Sequence, residues 1–399
     1  MLVRPAIWLC QIFVQGYGAI QRLTFPAFIV STSSRRKLGV VLGSIKAFSG
    51  ALLSACKLDW LPLAICTIFI AIALSQLKQK GINGFDPVSV LLNTQLFLIC
   101  IVFALSTSFM WSLMRQRPES PVAFARAFFL EKLHWSIIAR HAPIVIALCT
   151  FMPVFSAMKA SISLFADYSW DTTFTLWDQT IHRGDAWKLI HPVTGFPIVT
   201  FMLNLFYNFW IVAVYAATAF LALRLKDPHS RQKFLITYFS CWPILGVAGA
   251  IYFASVGPAF VGPLLSQAHF DPLMAYLDYA NGHYRILSVE VQAKLVTQFR
   301  EGSTGLGAGI TAMPSMHVSM ALLFFLVMRQ VSRVAAWLSG LFFVAILIGS
   351  VHLAYHYAVD GYVSIVVTLL IWKLAGWWTG HAKDAVGAAT QVSANPPTA

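Results

Sequence analysis

Long apolar stretches recur along the chain, and they constrain its fold more than any other feature of the sequence. Eight of them are long enough, or nearly so, to cross ~30 Å of hydrocarbon at about 20 residues each. Charged residues make up only 11% of the 399 residues, against about 25% in soluble proteins. We therefore predict an all-α, polytopic membrane bundle of about eight spans, and we exclude a soluble enzyme, a disordered chain and a small disulfide-rich scaffold. The predicted spans cover residues 59–77, 90–113, 139–163, 198–223, 234–257, 314–329, 335–355 and 359–378.

The rest of the sequence divides the chain into four predicted segments. Two further apolar stretches, 6–20 and 38–55, are ambiguous, and the second contains Lys46 and is compatible with a helix that lies in the membrane interface. After them we expect a two-span extension, a core of six spans, and a small polar tail that we predict to be disordered. The segments are 1–58 (cytoplasmic or interfacial), 59–138 (extension), 139–380 (core) and 381–399 (tail).

The distribution of charge predicts an orientation in the membrane. The formal net charge is +13, and most of the 28 lysines and arginines fall on one side if residues 1–58 are cytoplasmic and the spans alternate. The long loop 258–313 then lies on the outer side. Short loops and the lack of glycosylation sequons favour a bacterial inner membrane with a periplasmic outer face. No basic helix is interleaved with aromatic residues, so we expect no nucleic-acid partner.

Three ionisable residues stand out at the predicted outer ends of the late spans. His317 follows Pro314-Ser315 at the start of the sixth span, and His356 and Asp360 lie between the seventh and the eighth. Ionisable groups at membrane depth are costly and usually functional. The spacing would put His356 and Asp360 on one helix face, where the carboxylate fixes the tautomer of the histidine and stabilises its charged form. Two histidines and a carboxylate supply a nucleophile, an orienting group and a general acid.

Other interpretations of these residues remain open. A histidine near a helix end is often an interfacial hydrogen-bonding residue, and His352 fits that description best. His352, His356 and Asp360 recur every four positions, so one helical stripe could also ligate zinc. Ser315 could be a protease-type nucleophile, although its place shortly before His317 at a helix start favours capping or contact with a phosphate.

The two segments match short patterns of a known family. Pro314-Ser315-Met316-His317 has the form P-S-x-H, and residues 356–360 have the form H-x-x-x-D. They resemble the second and third signature motifs of the type 2 phosphatidic acid phosphatase (PAP2) superfamily. The longer strings 309–317 and 356–361 resemble its inositolphosphotransferase, or inositol phosphorylceramide synthase-like, branch. Residues from about Trp177 to Trp378 fit the layout of that branch, including Gly257-Pro258 before the long outer loop.

The resemblance implies a role for each of the three residues. By analogy with the family, His356 attacks phosphorus and becomes a phosphohistidine, Asp360 supports it, and His317 protonates the leaving group. The resemblance implies a membrane lipid with a phosphate group as the substrate, with water or an alcohol as the acceptor. No metal and no cofactor is required, because the histidines supply both the nucleophile and the acid.

The chain departs from the phosphatase branch in its cations. The first motif of that branch has a lysine seven residues before Arg-Pro, but Met110 stands at that place before Arg117-Pro118. Ser350 occupies the position of an arginine six residues before the catalytic histidine. We therefore expect other groups on the outer side to bind the phosphate. The expected substrate-binding residues are Ser315, Arg285 and Lys294, with Arg300, Arg183 and Lys188 as further candidates.

The sequence thus predicts a membrane lipid phosphotransferase or phosphatase whose active site lies at the outer face. Among enzymes, the alternative is a polyprenyl pyrophosphate or phosphatidic acid phosphatase, which differs in using water as the acceptor. The alternative of another class is a non-enzymatic lipid transporter or membrane scaffold. A transporter more often has two matching halves with broken helices, and the sequence has no such symmetry.

Overall fold

The chain is all-α in every part that the structure, a computed structural model, describes. The described residues are 32–225, 227–302 and 309–394, so the apolar stretch 6–20 lies outside them. Short 3₁₀ turns occur at Ile162–Leu164 and Ala268–Phe270. The helices are α1 Thr32–Leu58, α2 Trp60–Gln79, α3 Pro87–Gln116, α4 Pro121–Lys132, α5 Trp135–Ala160, α6 Asp171–His182, α7 Ala186–Thr194, α8 Pro197–Arg224, α9 Pro228–Tyr252, α10 Pro258–Leu265, α11 Asp271–His283, α12 Leu287–Arg300, α13 Met316–Met328, α14 Arg333–His352 and α15 Ala358–Ala394.

Seven helices in the described ranges are long and apolar enough to cross a bilayer, namely α2, α3, α5, α8, α9, α14 and the first part of α15. They confirm seven of the predicted spans. The sixth predicted span, 314–329, is shorter than expected, because α13 has 13 residues and is about 20 Å long at 1.5 Å per residue. The helix α1 covers the ambiguous stretch 38–55 and is not among the seven. The last helix continues to Ala394, into the segment that we predict to be a disordered tail.

The helix α13 is short because it lies inside the bundle. It packs against α8, α9, α14 and α15, and most of its side chains from Val318 to Val327 are buried. A helix that is surrounded by other helices need not match the thickness of the bilayer. Its start is fixed by Ser315, whose side chain accepts a hydrogen bond from the Val318 backbone nitrogen at 3.4 Å, which satisfies one of the free N–H groups of the first turn.

The backbone divides into two compact units. The first comprises Met1–Ala71 and Leu98–Phe151, and in its described part the Phe69 and Phe151 rings lie 4.9 Å apart. The second comprises Ile72–Phe97 and Met152–Ala399. It holds α6 to α15 together with the end of α5, and all of the residues singled out in the late spans belong to it.

Four loops meet at one end of this second unit, which we call the site end. They are 161–170, 253–257, 309–315 and 353–357. The Ala312 nitrogen donates to the Ser255 carbonyl at 3.0 Å, and the Ala259 nitrogen donates to the Ala354 carbonyl at 2.8 Å. The Tyr168 hydroxyl donates to the Ile310 carbonyl at 2.8 Å. These bonds bring the segment before His317 and the segment before His356 to the same place.

Gly257 allows two of these loops to touch. Its φ of +93° lies in the region that side chains rarely adopt, and a Cβ atom there would be 2.6 Å from the Tyr355 carbonyl oxygen. Tyr355 directly precedes His356, so the glycine lets the loop before α10 support the backbone that carries this histidine.

Candidate active site

His356 and Asp360 form a buried pair at the start of α15. The Nδ1 atom of His356 lies 3.2 Å from Oδ2 of Asp360, and the two side chains are 6% and 0% exposed. The same carboxylate oxygen accepts a hydrogen bond from the Tyr357 backbone nitrogen at 3.0 Å. With Nδ1–H directed at the carboxylate, Nε2 is the atom that carries the lone pair. The predicted partnership between the two residues is therefore present in the geometry.

Two aspartates from α6 hold this turn in place. Asp178 caps α15, since its carboxylate accepts hydrogen bonds from the nitrogens of Ala358 at 2.8 Å and Val359 at 2.9 Å. Asp171 accepts from the Val256 and Gly257 nitrogens and from the Tyr357 hydroxyl at 2.8 Å. Burial raises the pKa of Asp178, whereas the hydrogen bonds from the two backbone N–H groups lower it. The segment with His356 is thus fixed from both sides.

His317 is held in a stack of aromatic rings at the start of α13. Its ring centroid is 4.4 Å from that of Tyr207, with an angle of 14° between the planes, and 4.1 Å from that of Trp210. Trp210 also donates from Nε1 to the His317 carbonyl at 3.1 Å. The other face of Tyr207 stacks on Tyr355 at 4.9 Å. The imidazole therefore has little freedom to turn.

The two histidines face one cavity of about 300 Å³. Their ring centroids are 6.0 Å apart, so both imidazoles are close enough to contact the same small group in the cavity. Lys159, at the end of α5, is the one lysine or arginine among the described residues that line the cavity, and none of those residues is acidic. The Tyr207 hydroxyl is buried and has no hydrogen-bond partner in the described structure. The cavity therefore combines a cation and an unused hydroxyl with two imidazoles.

The surroundings keep His356 in its neutral form. Burial is the main cause that lowers the pKa of His356 to about 3; a hydrogen bond with the Ala312 backbone raises it in part, and the charge of Lys159 adds to the lowering. A pKa this far below the usual value of about 6.5 means that the imidazole is unprotonated at neutral pH. An unprotonated Nε2 is what nucleophilic attack requires.

The cations predicted from the sequence lie elsewhere. Arg285 is exposed, and its guanidinium makes two hydrogen bonds with the Glu290 carboxylate, at 2.8 and 2.9 Å. Lys294 is exposed on α12, and neither residue lines the cavity. Lys188 pairs with Asp185 at 2.8 Å. The described part of the long loop folds into α10, α11 and α12, with Lys294 on α12 and Arg285 in the turn between α11 and α12.

Ser315 and His352 also have defined places. Ser315 is fully buried, and its hydroxyl caps α13 without lining the cavity. His352 ends α14, and its Nε2 atom lies 2.9 Å from the Thr200 hydroxyl. Residues 353–357 are not helical, so His352, His356 and Asp360 do not form the single stripe that the zinc interpretation needs. No group of three possible metal ligands occurs in the described ranges.

Lys159, Asp171 and Asp178 are the site residues that the sequence analysis missed. Lys159 has a signal of its own, since it is a charge at the end of an apolar span, where ionisable residues are usually functional. The aspartates have no local signal. Asp178 precedes its hydrogen-bond partner Ala358 by 180 positions, and nothing in the sequence between them indicates the contact.

Among known proteins, no curated protein and no solved structure matches the chain. A sequence model of the PAP2 superfamily matches residues 172–374, just over half of the chain. That range begins beside Asp171 and includes Asp178, His317, His356 and Asp360. The chain is an integral membrane protein that belongs to the PAP2 superfamily.

Proposed function

We propose that this protein is a membrane enzyme that removes or transfers the phosphoryl group, or a phosphate-bearing head group, of a lipid through a phosphohistidine intermediate. The observation that carries the proposal is that His317 and His356 face one cavity, with Asp360 on Nδ1 of His356 and Lys159 at the wall. Membership of the PAP2 superfamily supports phosphate-bearing, lipid-like substrates.

In the first half-reaction, Nε2 of His356 attacks phosphorus. The N–P bond forms as the bond between phosphorus and the leaving oxygen breaks. His317, protonated once the anionic phosphate is bound beside it, gives that proton to the leaving oxygen, and Asp360 stabilises the positive charge that develops on the imidazole of His356. In the second half-reaction, water or an alcohol attacks the phosphohistidine, and His317 takes the proton back. The 6.0 Å between the two ring centroids lets both imidazoles reach one phosphate in the cavity.

We assign phosphate binding to Lys159 in place of Arg285 and Lys294. Lys159 lines the cavity with both histidines, whereas the other two are exposed outside it. A lysine is a compact point charge that suits a phosphate oxygen. The unpartnered hydroxyl of Tyr207 is a second donor for the same group. Together they supply charge and direction in place of the lysine and the arginine of the phosphatase branch, where this chain has Met110 and Ser350.

Transfer to an alcohol is the form of the reaction that we favour over hydrolysis. Met110 and Ser350 stand where the phosphatase branch has its lysine and arginine, and the strings 309–317 and 356–361 resemble the inositolphosphotransferase branch. The excess of lysines and arginines in the other loops supports a site at the outer, extracytoplasmic face. The reaction as written uses protein side chains for every proton and needs no cofactor.

The first experiment compares purified wild type with His356→Ala in liposomes that contain phosphatidic acid or a polyprenyl pyrophosphate. We expect the wild type to acquire an acid-labile phosphoryl label from labelled donor, and His356→Ala to acquire none. The matched control is His283→Ala, which removes an exposed histidine of α11 outside the cavity and should label like the wild type.

The acceptor is identified in the same assay. Phosphate release by the wild type alone indicates hydrolysis. If release is absent, phosphatidylinositol with ceramide tests transfer to an alcohol. Equal labelling of the wild type and His356→Ala would exclude the phosphohistidine mechanism. A folded wild type that neither labels nor turns over any of these donors would support the non-enzymatic alternative.

A further inference from the structure

The cavity continues well past the two histidines into the bundle. Its lining includes Lys159, His317 and His356, which we call its head, and Met152 and Tyr215, which we call its far end. Met152 lies about 10 Å before Lys159 along α5, and Tyr215 lies about 12 Å beyond Tyr207 along α8, at 1.5 Å per residue. These two helices run in opposite directions, and each places the far end at a similar depth.

The chemistry of the cavity changes along this length. Beyond the head, the wall is formed mainly by apolar and aromatic side chains such as Phe155, Trp242 and Ile211. No charged residue among the described ones lines this part of the cavity. Ile211 is also 45% exposed on the surface of the spanning helix α8. One residue of the cavity wall therefore also lies on the surface of a spanning helix, the side from which hydrocarbon of the bilayer would approach.

Tyr215 lies at the far end, and a residue of α3 holds it in place. Tyr215 is 3% exposed, and its hydroxyl is hydrogen-bonded to Oδ1 of Asn93, a fully buried residue of α3. Asn93 donates in turn to the Ser89 carbonyl at 2.9 Å, and the Phe97 ring lies 4.8 Å from the ring of Tyr215. Buried polar groups that are satisfied in this way resist displacement. The tyrosine is thus fixed by a helix that precedes the family-matched range.

We propose that this part of the cavity binds one hydrocarbon chain of the lipid substrate, and that Tyr215 limits the length of that chain. Asn93 acts through Tyr215 as a positioning residue. The inference rests on the proposed function for the head of the cavity, because a phosphate at Lys159 would leave the attached chain pointing towards Tyr215. The chain is the occupant that fits, since the wall is apolar and its head carries the cation.

Binding can be tested without turnover. The probes are n-alkyl phosphates of increasing chain length with a photoreactive diazirine at the chain end, bound to His356→Ala protein, and the cross-linked residues are mapped by mass spectrometry. We expect long probes to label Tyr215, Trp242 or Met152, and shorter ones to label residues nearer Lys159. Labelling at lipid-facing residues such as Phe209 and Val212, both 51% exposed, at every chain length would overturn the proposal.

Specificity is tested with wild type, Tyr215→Ala and Asn93→Ala on donors of graded chain length. We expect Tyr215→Ala to raise the ratio of kcat/KM for long over short chains by about tenfold or more, because small changes in apolar fit have effects of this size. Asn93→Ala should cause a smaller shift in the same direction. Tyr279→Ala, at an exposed tyrosine of α11, should leave the ratio unchanged.

The two proposals can fail separately. If Tyr215→Ala does not fold, Tyr215→Phe removes only the hydrogen bond to Asn93, and the cross-linking map still decides. Chain-end labelling at Tyr215 without turnover of any donor supports the chain site and counts against the enzyme. Turnover with no dependence on chain length, and with labels scattered on the surface, supports the enzyme and overturns the chain site.

Discussion

The carboxylate of Asp178 lies 2.8 Å from the backbone nitrogen of Ala358 and caps the helix that carries Asp360. A capping carboxylate from another helix fixes both the position and the direction of that helix start. Because His356 lies two residues before Ala358, the cap also sets where its imidazole can point. His356 and Asp360 are therefore positioned by a residue that is not among those lining the cavity.

We expect Asp178→Asn to lower kcat by about 10- to 100-fold, the effect of losing about 1.5–3 kcal/mol in hydrogen bonds to a charged group, with KM changed little. An asparagine can accept one of the two backbone hydrogen bonds, and its amide group would face the other N–H. The control is Asp278→Asn, at an exposed aspartate of α11. A matching rise in KM would assign Asp178 to substrate binding instead.

The sequence predicted the three central residues because their information is local. Pro314-Ser315 indicates that a helix starts before His317, and the spacing of His356 and Asp360 predicts that they are in contact. Counting charges then places both motifs on the same side of the bundle, and the loops confirm that they meet. The all-α class follows from the apolar stretches alone.

The cation that lines the cavity could not be found in this way. Charge counting gives the side on which a residue lies, and Arg285, Lys294 and Lys159 all satisfy it. Only the packing of α10, α11 and α12 decides that Arg285 pairs with Glu290 at the surface while Lys159 faces the histidines. The short length of α13 could not be predicted for the same reason, because a helix that is buried inside the bundle does not need to span the membrane.

The ionisation of His356 can be observed directly. Its pKa of about 3 predicts that about 1% or less is protonated at pH 5, and that it stays neutral through the range in which histidines ordinarily titrate. We expect its ¹⁵N resonances, assigned by their loss in His356→Gln, to remain those of a neutral imidazole from pH 8 to pH 5. A midpoint near 6.5 for His356 would show that the ring is solvated.

Gly257 should be intolerant of a side chain. A Cβ atom at this position would meet the Tyr355 carbonyl at 2.6 Å, and the φ of +93° is strained for alanine. We expect Gly257→Ala to cost about 1–3 kcal/mol of stability and to reduce kcat, because the shifted carbonyl precedes His356. Gly262→Ala is the matched control, since its nearest neighbour would be 3.7 Å away. Equal melting temperatures for the two variants, measured in the same detergent, would show that the two loops can separate without loss of stability.

Replacing Lys159 should show which lysine binds the phosphate. The structure assigns this role to Lys159, whereas the sequence predicted Lys294. Lys159→Met keeps an unbranched side chain that is one atom shorter and removes the charge from the cavity. We expect kcat/KM to fall by about 10- to 100-fold, as the loss of about 1.5–3 kcal/mol from a charged hydrogen bond predicts, while Lys294→Met changes it by less than about twofold, since exposed charges away from a site contribute little. Steady-state kinetics on reconstituted protein measures both. The reverse order, with Lys294→Met the more damaged variant, would mean that α12 moves over the cavity when substrate binds, and would return the phosphate contact to the outer loop.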